Sequence, residues 1–398
     1  MEFWQKNLYS LWFAQFIAAL GLNLVGPFLP FYLRDLGIED DKSLKIWSGV
    51  AYAAPFVVSA FMQPLWGILG DRLGRKPMIV RAMLGLSLAN ILMGFAQSAP
   101  QFVFFRLFQG FLSGFIAPSL ALMASSTPAE KIGYTLGTLQ TALISSLIMG
   151  PMIGGVFMHL TGLRPIFFAT GFLCLAGAII VSLYVREEFA PVNGSGKVQL
   201  KNNFYHIFRS SELRSMFFLL VLVQFSIFFL APFISLYVEY LQVQKQYVGI
   251  ITGIIFGITG LASTLAAPFW GKRSDMMGNR KILRIATCGM IAFLLPQAFV
   301  TNAYQLMFLR AGLGLFASGT IPVINSIVRH ATGEKDRGGV YGIFQSGYLV
   351  GNLIGPLAGG LLSAIFGLRA IFLITTACVC LAPLLIRAVN DNLSIVHK

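Results

Sequence analysis

Charge is scarce in this 398-residue chain: only 11% of its residues are Asp, Glu, Lys or Arg, against about 25% in a soluble protein. That shortage excludes an ordinary soluble fold. Acids are scarcer than bases, 15 Asp+Glu against 29 Lys+Arg, and none lies well inside an apolar run. The four cysteines, Cys174, Cys288, Cys378 and Cys380, all fall in apolar runs, where a buried thiol behaves as a small hydrophobe. No pair has zinc-ligand spacing with a histidine nearby, so neither disulfide, metal nor any other cofactor is expected. His159, His206, His330 and His397 fall in connections, helix ends or the tail and offer no proton relay. The sequence has no Walker-type loop for direct ATP coupling. It also has no nucleophile–base constellation of the kind an enzyme needs.

What is present is apolar sequence. The chain is 56% hydrophobic, with a mean hydropathy of +0.76. Crossing the hydrocarbon takes roughly 20 apolar residues per helix. Twelve runs qualify, near 8–33, 46–70, 77–97, 101–124, 133–158, 165–185, 214–239, 246–268, 282–301, 304–328, 338–363 and 369–387. The first is longer than a signal h-region and lacks a small-residue cleavage site, so it is expected to remain as span 1. The net charge of +14 is distributed by side: 21 Lys+Arg fall at the N-terminus, in the even-numbered connections and in the tail, and 6 in the odd-numbered ones. The positive-inside rule reads that bias as both termini cytoplasmic. The basic excess is thus topological, and nucleic acid is not an expected partner.

The second half of the chain repeats the first at offsets of 204 or 205. Gly67-Ile68-Leu69-Gly70-Asp71-Arg72-Leu73-Gly74-Arg75-Lys76-Pro77 is echoed by Gly271-Lys272-Arg273-Ser274-Asp275-Met276-Met277-Gly278-Asn279-Arg280-Lys281. Arg106 with Gln109-Gly110 in span 4 matches Arg310 in span 10, and Gly150-Pro151 with Gly154-Gly155 in span 5 matches Gly355-Pro356 with Gly359-Gly360 in span 11. Gly162-Leu163-Arg164 matches Gly367-Leu368-Arg369, and Pro27-Phe28 with Tyr32 matches Pro232-Phe233 with Tyr237. An even number of crossings restores the starting side, so the halves run parallel, an architecture known for carriers with a site near the midplane. The expected organisation is an N-terminal six-helix bundle over 1–185, a cytoplasmic linker over 186–213 and a C-terminal bundle over 214–398. The linker holds a Gly/Ser stretch, a surface helix is expected near 201–212, and the sequon at Asn193 falls on the cytoplasmic side.

The basic loop closely resembles the signature loop between helices 2 and 3 of the major facilitator superfamily. Arg106 with Gln109-Gly110 resembles its fourth-helix motif. Gly150-Pro151 with Gly154-Gly155 resembles its fifth-helix antiporter motif, and Pro27-x-x-Pro30 is similar to its twelve-helix drug:proton antiporter branch. The likeness covers essentially the whole chain. It implies an all-α membrane protein of twelve transmembrane helices in two pseudo-symmetric six-helix bundles, working by alternating access in a bacterial cytoplasmic membrane.

Each motif also has a physical reading. Gly67, Asp71, Arg72, Gly74, Arg75 and Lys76, with Asp275 as the weaker second copy, suit a conformational latch, because a carboxylate can meet a helix N-terminus and local arginines. Their alternative is loop anchoring and topology. Arg106 and Arg310 are cations in apolar spans, expensive and therefore candidates for coupling; snorkelling is their alternative. Gly150, Pro151, Gly154, Gly355, Pro356 and Gly359 suit helix bending and close approach at a flexing interface, against ordinary packing. Asn23, Phe28, Gln109, Gln140, Gln224, Phe228, Gln345 and Tyr348 are the candidate substrate contacts, few polar groups among aromatic walls, although many phenylalanines must face lipid.

The missing membrane acid weakens the proton-coupling side of the resemblance, since a carrier of that branch often places a desolvated acid in its cavity. Asp35 and Glu239, at the outer ends of spans 1 and 7, and Asp71 are the remaining proton candidates; an outer gate is the other reading of the first two. The expected function is proton-coupled export of amphipathic, drug-like compounds, with small-molecule substrate, protons and the lipid bilayer as partners. A dedicated metabolite or siderophore carrier is the alternative within transport; a non-transporting sensor or membrane-embedded enzyme is the alternative outside it. A monomer is expected of a two-bundle carrier.

Overall fold

Backbone amides in hydrocarbon have no water to bond, so an apolar run of this length must satisfy its own hydrogen bonds as a helix. The computed structural model describes residues 2–187, 205, 207–333 and 337–387, and for Asp71, Asp275, Arg337 and Gly338 the backbone alone. The Gly/Ser stretch of the linker, Asn193, residues 201–204, His206 and His397 lie outside the described residues. Among the described residues there is no strand, and twelve helices are long and apolar enough to cross a membrane. Spans 1 to 6 are Phe3–Asp35, Asp41–Gly70, Arg75–Gly94, Ala99–Ser126, Ala129–Thr161 and Arg164–Tyr184. Spans 7 to 12 are Ser211–Tyr240, Lys245–Ser274, Asn279–Phe299, Ala303–Ala331, Gly339–Phe366 and Leu368–Ile386.

Several spans are broken where the sequence removes a donor or a side chain. Span 1 narrows to a 3-10 turn at Gly26–Phe28, and span 7 does the same at Ala231–Phe233. Pro27 and Pro232 supply the reason, because a proline nitrogen cannot bond back to the preceding turn. Span 4 is two helices, Ala99–Leu112 and Ile116–Ser126, and span 10 likewise divides into Ala303–Ala317 and Thr320–Ala331. Of the cysteines, only Cys174 is buried; Cys378 is half-buried, and Cys288 and Cys380 are exposed on spans 9 and 12.

The chain divides into two compact units, Met1–Asn193 with Gln244–Gly257, and Gly194–Val243 with Ile258–Lys398. The first is centred on Leu8, Leu11, Met83, Leu86, Cys174 and Val181. The second is centred on Leu213, Met216, Leu283, Ile324, Val328 and Ile386.

The repeat extends to individual hydrogen bonds. Tyr32 donates its hydroxyl to the Met93 carbonyl at 2.7 Å, and Tyr237 donates to the Gln297 carbonyl at 2.7 Å. Their rings lean on Phe167 and Phe372 at 4.7 and 4.6 Å between centroids. Trp66 Nε1 donates to the Phe111 carbonyl at 2.8 Å, and Trp270 Nε1 to the Leu315 carbonyl at 2.6 Å. A buried Tyr or Trp needs a partner for its polar tip, and both units supply it from the same place.

Candidate functional site

The basic loop is organised around Gly74, whose φ of +101° lies in the region that favours glycine. Its N–H closes span 2 on the Gly70 carbonyl at 3.0 Å, and span 3 starts at the next residue. The exposed N–H groups of that new helix meet a carboxylate from far along the chain. Glu187, just past span 6, accepts from the backbone N–H of Arg75 and of Lys76, 2.8 Å each. Negative charge at a helix N-terminus is favoured by both the free donors and the helix dipole. The Arg75 side chain donates to the Ala121 carbonyl at 2.6 Å and to Ser125 Oγ at 2.9 Å on span 4. Lys76 Nζ donates to the Ser182 carbonyl of span 6 at 2.9 Å. The loop thereby ties spans 3, 4 and 6 together. Arg72 is exposed and Gly67 faces open space. The backbone of Asp71 continues span 2 and that of Asp275 continues span 8, while their side chains lie outside what is described. Gly278, at φ +89°, repeats the turn of Gly74.

Arg106 and Arg310 have different surroundings. Arg106 Nε donates to the Ala51 carbonyl of span 2 at 3.0 Å, and Nη1 to Gln109 Oε1 at 2.8 Å. Gln109, only 3% exposed, is therefore occupied as the partner of Arg106. Position 313, its repeat counterpart, is Leu313, which can accept nothing. Accordingly, Arg310 is 7% exposed, lies 5.9 Å from the Phe372 ring, and leaves Nε and Nη2 without a hydrogen-bond partner.

The glycine–proline motifs sit where helices touch. A Cβ on Gly154 would lie 2.1 Å from the Leu24 carbonyl oxygen, and one on Gly150 2.5 Å from Asn23 Cβ. In the other unit, a Cβ on Gly359 would lie 2.4 Å from the Phe229 carbonyl oxygen, and one on Gly355 2.9 Å from that of Phe225. The motifs thus seat span 5 on span 1 and span 11 on span 7, and both helices continue through Pro151 and Pro356.

The candidate substrate contacts fall into separate settings. Gln140 and Gln345 are exposed, Phe228 and Tyr348 half-buried, and Gln224 is 2% exposed against Gly351. Asn23 Nδ2 donates to the Ala19 carbonyl at 2.9 Å and to Ser146 Oγ at 3.3 Å. Phe28 is wholly buried against the Gly154 contact. Asp35 ends the helix Leu29–Asp35 and is exposed; Glu239 is half-buried in Ile234–Tyr240.

Several participants escaped the sequence reading. Glu187 gave no local signal, because its partners lie more than 100 positions away. Arg81, one of the 21 basic residues assigned by the charge count to the cytoplasmic side, lies inside span 3; six residues of helix carry it about 9 Å inward. Gly249, Gly253 and Gly257 carry the small-xxx-small spacing of close helix contacts. Within the first unit, a Cβ on Gly155 would lie 2.2 Å from the Gly249 carbonyl oxygen, and one on Gly253 2.4 Å from that of Pro151.

The family model described as Major Facilitator Superfamily matches residues 11–252 and 216–392. Among similar proteins is "Multidrug resistance protein MdtG" of Proteus mirabilis (strain HI4320), 36% identical over 377 residues, spanning 94% of each chain. The protein of the same description from Escherichia fergusonii is 35% identical over 378 residues, spanning 95% of this chain and 92% of its own. In fold the chain is similar to a bacterial homolog of the human lysosomal transporter Spinster in an inward-facing, occupied conformation, at TM-score 0.79, 13% identity and 97% of both chains. It is similar also to the nucleoside transporter NupG, at TM-score 0.79 and 12% identity, over 98% of this chain and 100% of that one. Twelve apolar helices, an atom-level internal repeat, a glycine-turned basic loop and relatives sharing a third of its residues have one common explanation: the chain belongs to the major facilitator superfamily of membrane transporters.

Proposed function

We propose that this carrier exports amphipathic, drug-like molecules across a bacterial cytoplasmic membrane in exchange for protons, by alternating access. The observation that carries this reading is its 36% identity, over 94% of the chain, to a protein described as a multidrug resistance protein. The basic bias of the even-numbered connections supports an inner-membrane orientation with both termini cytoplasmic. The working unit is a monomer of two six-helix halves, 1–185 and 214–398, joined by the linker 186–213. Asn23, Phe28, Gln109, Gln140, Gln224, Phe228, Gln345 and Tyr348 are the residues assigned to substrate. Asp35, Glu239 and Asp71 are the proton candidates, and Arg106 and Arg310 act on coupling. Asp71 and its loop form the latch, with Asp275 as the second copy.

The test is uptake of a panel of unrelated lipophilic dyes into inverted vesicles, with and without an imposed proton gradient. Gradient-dependent uptake of several dyes, lost in Asp71→Asn, is the expected outcome. Absence of uptake of every dye by folded protein would overturn multidrug export and leave a dedicated metabolite or siderophore carrier. Proton-dependent transport that survives neutralising Asp35, Glu239 and Asp71 in turn would remove all three as the switch.

A further inference from the structure

A groove of about 730 Å³ opens on the surface of the first unit, bounded by spans 3, 4 and 6. Two cations mark one end of it, Lys76 and Arg81; among the described residues no acid lines it, and the nearby Glu187 carboxylate is taken up by the Arg75 and Lys76 backbone N–H groups. Its walls run on through Val80, Leu84, Leu88, Phe108 and Leu112, with Leu84 and Leu88 45% and 49% exposed. From Lys76 to Leu88 is twelve residues of helix, about 18 Å. One leaflet's share of a hydrocarbon core of about 30 Å is close to 15 Å. The groove therefore runs from the basic end of the protein to about the bilayer midplane.

Arg81 is only partly provided for by its own chain. Its guanidinium stacks on Trp66, 3.6 Å from Cζ to the ring centroid, and Nη2 donates to the Ser113 carbonyl at 3.2 Å. Nε and Nη1 are buried without a hydrogen-bond partner. A cation at this depth is expensive unless an anion or strong acceptor meets it. Lys76 gives one bond to Ser182 and keeps two ammonium hydrogens free for another acceptor. The fold does not require this arrangement, since Ile285 stands at the repeat position of Arg81 in the second unit.

We infer that this groove binds an anionic phospholipid, its phosphodiester between Lys76 and Arg81 and one acyl chain along Val80, Leu84, Leu88 and Phe108. A basic cleft between helices at the membrane edge selects anionic headgroups, and the apolar walls select an attached chain over free phosphate. The site holds whatever solute the carrier moves, so it stands or falls separately from the export reading.

The experiment is native mass spectrometry of the detergent-purified full chain, titrated with dioleoyl-phosphatidylglycerol, dioleoyl-phosphatidylcholine and inorganic phosphate. Two cations should favour phosphatidylglycerol about thirtyfold over phosphatidylcholine. Arg81→Gln should reduce that preference to near unity. Leu84→Trp, which blocks the chain path and leaves both cations, should weaken both lipids; it also serves if Arg81→Gln does not fold. Equal affinity for the two lipids on the unaltered protein overturns the inference. So does a preference that survives Arg81→Gln, lipid affinities that Leu84→Trp leaves unchanged, or displacement of phosphatidylglycerol by inorganic phosphate at millimolar concentration, which would mark a bare anion site.

Discussion

At the residue scale, the most consequential side chain is one that carries no motif. Glu187 closes the start of span 3 by accepting two backbone N–H groups, and it connects the end of span 6 to the signature loop. Glu187→Ala should lower the thermal unfolding midpoint of the purified protein by the equivalent of about 1–2 kcal/mol, the range for losing a helix cap plus its dipole interaction. Glu187→Gln, which keeps one acceptor, should fall between. Equal midpoints for all three proteins would show that the cap contributes nothing measurable. Arg106 and Arg310 show how a single partner decides a residue's state: an amide at 109 satisfies one guanidinium, and a leucine at 313 leaves the other partly unmet.

At the element scale, spacing on a helix indicated which residues pack closely, and the folded chain showed what each meets. Gly154 and Gly137 lie on the same span, yet a Cβ on Gly154 collides with the Leu24 carbonyl while one on Gly137 meets nothing within 4 Å. Gly154→Ala should therefore destabilise by about 1–3 kcal/mol through overpacking. Gly137→Ala should be neutral or stabilise by about 0.5–1 kcal/mol, from helix propensity. Both are read from the unfolding midpoint in one detergent, and the same sign for both would contradict the contact assignment. Turns tell a similar story. Gly37 and Gln242 end the first spans of their units with φ of +92° and +61°. The backbone geometry is retained in the second unit without the glycine that makes it easy. The repeat is thus preserved in conformation where it has drifted in sequence.

At the scale of the whole molecule, charge sets the expected orientation. In a background with the four cysteines replaced by serine, Glu39→Cys should react with a membrane-impermeant maleimide applied to intact cells. Lys131→Cys should react only after the membrane is opened. The reverse pattern would overturn cytoplasmic termini, and with it the side on which the signature loop works. Positive charge retained on one side is the physical basis of the expectation.

The sequence by itself determined membrane residence, twelve helices, the internal repeat and the family. These rest on local or summed properties: apolar length, charge counts and residue spacing. Hydrocarbon permits so few backbone arrangements that such properties decide the class. Pro27 and Pro232 were legible as a repeated pair, while the 3-10 turns they impose came from the structure. Only tertiary structure decided which helix end Glu187 caps, that Arg81 sits on Trp66 beside an open groove, and that Gly249 belongs against Gly155. Each of these joins residues about 15 to more than 100 positions apart, and a chain's one-dimensional pattern fixes which face of a helix is small or polar but not which neighbour arrives there.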